Sequence, residues 1–397
     1  MEKKRSRTLM INCGSAMLLR YDEREFEGYE RIIMNAGDIL FSQSAYEGLR
    51  AHGGFQLNCG RSKIVELKGR VVELGRGEEL DGSTAYKGCH LLSTGSVWIT
   101  ARDASAFAEI AALSAGKLYY PAGFSVDEIP NLDVDRRVPY PPEAKLFHGD
   151  LKLSASLARG LNEGALLWVQ GEIDASDEKA LAALAEKKVK LYCSSALIYE
   201  SDAVRYGSLF ESGDFEEVPD GYEILRETLR LGLDNAVLYG AKLYVRGGLY
   251  IAKGEEESLQ GIEKLIVRGE AKIPAEAVKA FREKGEADAL KVYRGALWEI
   301  VGQGKINHAQ LAAAKAQGKQ YTLDVSGALD FDEDVQAEDL ECFIAVSYSG
   351  MVRVPDGARA ALQERVTQGS GVIASPGELL GDPDATDQLN LGEFKRI

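Results

Sequence analysis

A chain of 397 residues, 45% apolar and 27% charged, exceeds one ordinary globular core and is too apolar for long disorder, so two domains or an elongated repeat array are expected. A formal net charge of −15 excludes the basic footprint of a general nucleic-acid binder. Forty-two glycines against ten prolines point to many tight corners rather than flexible linkers.

The first element is a repeat. "INCG" at 11–14 returns as "MNAG" at 34–37 and "LNCG" at 57–60, an interval of 23 residues. Aligning on the glycine extends the series through Gly95, Gly123, Gly149, Gly171, Gly247, Gly269, Gly295, Gly327 and Gly350, with a weaker copy at Gly377 and Ser195 standing for glycine in "KLYCSSALIY". Most spacings are 22–28 residues; the longer gaps from Gly60 to Gly95 and from Gly295 to Gly327 read as loop insertions. A period of this length is the mark of a repeat architecture.

Within one copy, "KLIVRGEAKIPAEAVKAFREK", apolar residues fall at Leu265, Val267, Ala271 and Ile273, on both sides of Gly269 at strand parity. The same register holds about Gly247 and Gly327. Glycine inside a strand pattern marks a bend or a close backbone approach. Pro, Ser, Asp or Thr then precedes segments such as "AEAVKAF" and "DEKALAALAEKK", which carry helix-start signals and helical spacing. The expected fold class is therefore an α/β repeat solenoid: parallel strands stacked coil on coil with short outer helices, about 14 repeats over residues 1–397. Residues 201–240 interrupt it as a helical insertion, in which "DGYEILRETLRLGL" reads as an amphipathic helix. The proline-rich 127–144 reads as a loop, and 378–397 as a polar C-terminal cap.

These features resemble leucine-rich-repeat proteins and other parallel β-solenoids at the level of class. The nearest stretch is "IEKLIVRGEAKIPAEAVKAF" at 262–281, whose LxV strand, downstream IP and final AF are similar to that family's strand and convex-side helix; Glu270 stands where the family has Asn. The resemblance implies a binding scaffold for proteins.

Chemistry-bearing motifs are sparse. The five cysteines (Cys13, Cys59, Cys89, Cys193, Cys342) are odd in number with no CxxC, so no metal ligands are assigned and a reducing, cytoplasmic location is expected. "MEKKRSR" runs into the first repeat rather than a cleavable leader, and no run approaches 18 apolar residues, so no transmembrane segment is expected. His52, His90, His148 and His308 fit no metal or catalytic spacing, no GxSxG or phosphate-loop motif occurs, and "DFDEDVQAEDLE" at 330–341 lacks the spacing of a Ca²⁺ loop. No catalytic residue and no cofactor are assigned.

The candidate site is aromatic. Tyr120, Trp168, Tyr192 and Tyr244 stand three residues before a repeat glycine or its Ser195 equivalent, and Trp98, Tyr250 and Trp298 three after, on the outward parity. Stacked coils would align them into two columns, either an open recognition surface, since Trp and Tyr dominate interface hot spots, or a covered face. The expected function is a non-enzymatic scaffold binding a protein partner; the alternative is a β-helical carbohydrate-binding or carbohydrate-cleaving protein. Because only "MEKKRSR" precedes the first coil, its edge is expected either to be guarded by charge or to pair head to head in a homodimer.

Overall fold

The 23-residue interval is a hydrogen-bonding register. In the computed structural model, which describes residues 7–75, 77–84, 86–375, 386–390 and 394–396, strand Thr8–Leu18 pairs in parallel with Arg31–Ser42, and that strand with Phe55–Val65. Asn12, Asn35 and Asn58 are thereby in register, and their amides form a ladder: Asn35 Nδ2 donates to Asn12 Oδ1 at 2.6 Å and Asn58 Nδ2 to Asn35 Oδ1 at 2.9 Å. Glycine follows because the backbones meet at the corner: a Cβ on Gly37 would lie 2.5 Å from the Gly14 carbonyl oxygen.

The single stack of about 14 coils is not what forms. Among the described residues pairing is broken into five separate parallel sheets, so the expected single β-solenoid is not what the chain forms. The first sheet is the one just described. The second runs from Arg70 to Tyr140, the third from Lys145 to Val218, the fourth from Glu223 to Tyr293 and the fifth from Ala296 to Ala374. We call each level of a sheet a rung. Early rungs of the middle sheets are split at the corner into two short strands, such as Cys89–Leu92 and Ser96–Ile99, while later ones run through, as in Ala112–Pro121.

The breaks have a local cause. Between rungs the chain returns through a helical turn, such as Glu178–Glu186, whose start is capped by Asp177, or His308–Ala316, capped by Asn307 and Gln310. Between sheets no helix intervenes. The chain turns at Gly69, Pro141–Pro142, Gly221 and Gly295, three of which hold positive φ, conformations that favour glycine. The last rung of each sheet then alternates half-buried with exposed residues, because nothing extends that core further. Four of these last rungs and several first rungs were missed from sequence. The stretch 127–144, expected as a loop, contains the strand Leu132–Tyr140. The expected amphipathic helix in 201–240 is instead strands Glu223–Leu225 and Leu229–Leu231; only Glu200–Tyr206 and two short 3₁₀ turns are helical there, and Phe210–Val218 is a further rung.

Two glycine alignments shift as well. Gly95 is followed at the corner by Gly116, whose N–H donates to the Gly95 carbonyl, rather than by Gly123. Gly295 is a turn between sheets, and Gly302 is the residue in register with Gly327, Gly350 and Gly371; Gly377 lies outside the described residues.

Contacts group the chain into two compact units, residues 1–217 with 384–397, and residues 218–383. In the first unit each sheet closes its own core, and two smaller clusters lie between sheets: Met17, Leu40, Val65 and Leu92 join the first to the second, and Trp98, Tyr119 and Tyr140 join the second to the third. The second unit has one core per sheet. The free edge assumed for a head-to-head dimer is occupied: Thr386–Asn390 and Phe394–Arg396 of the same chain pair with Thr8–Leu18. The rest of the expected 378–397 cap lies outside the described residues. Among the described residues no helix is long and apolar enough to cross a membrane.

Candidate binding groove between the second and third sheets

Alternation puts every second residue of a rung on the face away from its core. On the second sheet that face carries the registers Glu79, Trp98, Tyr119, Val138 and Ser96, Lys117, Arg136. On the third it carries Leu146, Trp168 and Tyr192. The turn after Tyr140 brings these two faces together.

Near the turn they touch and fill the gap. Trp98 is fully buried, stacked on Tyr119 at 4.1 Å between centroids, with Tyr140 at 5.6 Å and His148 edge-on at 4.7 Å. Tyr140 donates its hydroxyl to the Ile99 carbonyl at 2.7 Å. Burial, with Glu79 nearby, pushes that phenol up to about 12, so it remains a donor. His148 Nε2 meets Glu79 Oε1 at 2.6 Å.

Farther from the turn the faces diverge and leave a groove of about 530 Å³. Its walls include Tyr119 and Val138 on one side, and Trp168, Gln170 and Ser194 on the other. Trp168 is half-buried and stacks on Tyr192 at 5.4 Å. A second cleft of about 460 Å³ adjoins it through the shared residues Lys117, Arg136 and Gln170. Gln170 Nε2 donates to Ser96 Oγ at 2.9 Å, fixing the divide between the two.

The charge is uneven. Asp135 is neutralised by Lys63 at 2.9 Å and Arg61 at 4.0 Å, and Arg61 also holds Asp38 at 3.0 Å. Among the described residues Lys117 and Arg136 have no carboxylate at ion-pair distance; Lys117 Nζ lies 5.8 Å from the Tyr119 ring centroid. The groove therefore presents two cations outside any ion pair, beside aromatic rings and with one carboxylate, Asp214, on its wall, in a chain of net charge −15. Its thiol, Cys193, is pushed up to about 11 by burial and by Glu172, so it is not a thiolate nucleophile at neutral pH. Among the described residues no group of three His, Cys, Asp or Glu is placed to hold a metal ion.

The seven aromatic residues singled out from sequence do not form two columns. Trp168 and Tyr192 are adjacent, and Trp98 lies in the buried cluster beside them. Tyr120 and Trp298 face cores instead, those of the second and fifth sheets, because Gly123 and Gly295 are not the corners of their rungs. Tyr244 is fully buried, its hydroxyl accepting from Arg268 Nε at 3.1 Å, and Tyr250 stacks on Tyr293. Fully buried Trp98 and Tyr244 offer no surface to a partner. Sequence reasoning missed Lys117, Arg136 and Gln170. "DVDRR" at 133–137 was the available signal, since its charged residues alternate with Leu132 and Val134 at strand parity.

The chain matches no protein-family model, no curated protein and no solved structure.

Proposed function

We propose that the chain is a non-enzymatic binding protein whose groove between the second and third sheets takes an extended acidic segment of a protein partner. The observation that carries this is the pair Lys117 and Arg136, with no carboxylate at ion-pair distance among the described residues and only Asp214 against them on the groove wall, beside the half-buried Trp168. Unpaired cations on an acidic molecule attract anionic side chains and steer their approach. The stacked Trp168 and Tyr192 supply rigid apolar area of the kind that anchors a peptide. The groove's own nucleophile candidates are engaged otherwise: Ser194 and Ser212 donate to the Gly171 and Cys193 carbonyls, and Cys193 is held protonated.

The test is fluorescence anisotropy with labelled Glu-rich and Lys-rich peptides at low and high salt. A Glu-rich peptide carrying one aromatic residue is expected to bind in a salt-sensitive way, and the Lys-rich peptide not at all. The K117E/R136E double variant is expected to weaken binding by about tenfold or more, since close opposite charges across an interface are worth more than 1 kcal/mol. Equal binding by wild type and double variant would overturn the reading.

A further inference from the structure

The fifth sheet carries a second surface of different chemistry. On the first half of its rungs the outward residues fall in register as Asp324, Ser347, Gln368 and as Ser326, Ser349, Ser370. Rungs lie about 4.8 Å apart and alternate residues about 6.6 Å apart along a strand. The result is a lattice of short hydroxyl and amide groups. Facing it is the last rung of the fourth sheet, Gly285–Tyr293, from which Lys291 reaches Asp324. Between them lies a cleft of about 700 Å³.

Its charges balance. The ionisable groups with charged side chains along it are Glu270, Lys291, Arg294 and Asp324, two of each sign. Asp324, 2% exposed, accepts from Lys291 Nζ at 2.5 Å and from Ser347 Oγ at 2.9 Å. Lys272, 3.8 Å from Asp324, pairs with Glu299 and, at 3.3 Å, with Glu270. Burial works against the Lys272 charge, but these two carboxylates outweigh it and hold the ammonium above its ordinary range.

We propose that this cleft binds a neutral oligosaccharide. Serine hydroxyls and the glutamine amide both donate and accept, as sugar hydroxyls do, and a row of them meets one edge of a sugar chain. A charged polymer finds no excess of opposite charge here.

Saturation-transfer NMR and calorimetry on the full chain would use cellohexaose, xylohexaose, maltohexaose and chitohexaose, with polygalacturonate and a Glu-rich peptide as charged comparators. At least one neutral hexaose is expected to bind, with transfer to its ring C–H protons. Ser349→Trp and Ser370→Tyr, both at exposed positions, are expected to weaken it by about tenfold or more, a loss of about 1.4 kcal/mol, with circular dichroism confirming that each variant is folded. K117E/R136E is expected to leave sugar binding unchanged, which separates this site from the peptide groove. Absence of binding by all four hexaoses at millimolar concentration, binding undiminished in both blocked variants, or displacement of the hexaose by the Glu-rich peptide would overturn the proposal.

Discussion

Replacing Gly350 with Ala tests why glycine recurs at the corners. Gly350 has φ +126°, and a Cβ built on it would lie 2.0 Å from the Gly327 carbonyl oxygen and 2.9 Å from its carbon. Both atoms belong to a rung held by its own ladder, so they cannot swing aside as a flexible side chain would. Overpacking of this kind costs about 1–3 kcal/mol. Holding a non-glycine residue in a sparsely populated backbone region adds about 1–3 kcal/mol. The sum, about 4 kcal/mol, corresponds to a fall of about 8–16 °C in the melting of the second unit at about 2–4 °C per kcal/mol. The control is Gly357→Ala, in helix Asp356–Gln363, where a Cβ meets open space and φ is ordinary. Alanine there is expected to be neutral or to stabilise by up to about 1 kcal/mol. Both variants would be followed by thermal and urea unfolding with circular dichroism. If Gly350→Ala melts within about 2 °C of Gly357→Ala, a gap under about 1 kcal/mol, stacked corners are not what selects glycine.

Gly269→Val, whose Cβ would lie 2.6 Å from the Gly247 carbonyl oxygen, is expected to lose about 2 kcal/mol or more by the same unfolding assay. Tyr140→Phe removes the donor to the Ile99 carbonyl and is expected to cost about 1–3 kcal/mol by urea titration; an unchanged midpoint would mean that water replaces the hydroxyl. Asp324→Ala strips Lys291 of its buried partner and is expected to destabilise by about 3 kcal/mol, at the low end for a broken buried pair because the lysine reaches solvent. His90, 2% exposed between the Lys68 N–H and Ser114 Oγ, is held below the ordinary imidazole range, mainly by burial. Its unfolded form protonates first as pH falls, so its stabilisation is present above about pH 6.5 and declines below it. His308, raised by its hydrogen bond to Asp339, works in the opposite direction, with stability lost as pH rises through its folded value. His90→Gln should therefore flatten the acid side of the melting profile selectively, and an unchanged profile would refute the assignment.

The sequence by itself determined the local unit. Asn12, Asn35 and Asn58 repeat at 23 residues because in-register amides bond each other, and glycine recurs because stacked corners leave no room for a Cβ. Period and parity are properties of a few neighbouring residues, so they are legible in a linear string. Where the stack stops is not. Rungs such as Leu132–Tyr140 and Phe210–Val218 carry four charged residues in nine because they end a core, and a terminal rung reads as loop to any test based on apolar alternation. Missing them shifted Tyr120 and Trp298 onto the wrong glycines and made five sheets look like one. The outward parity of Trp98, Trp168 and Tyr192 was legible, but not what faces them. Only the turns between sheets, at Gly69, Pro141–Pro142 and Gly295, fold one sheet face against the next, so that the same outward position is apolar at Leu40, aromatic at Trp98 and charged at Lys272. Lys117 and Arg136 gain their meaning there too, because an unpaired charge is defined by the absence of neighbours that only the packed chain arranges.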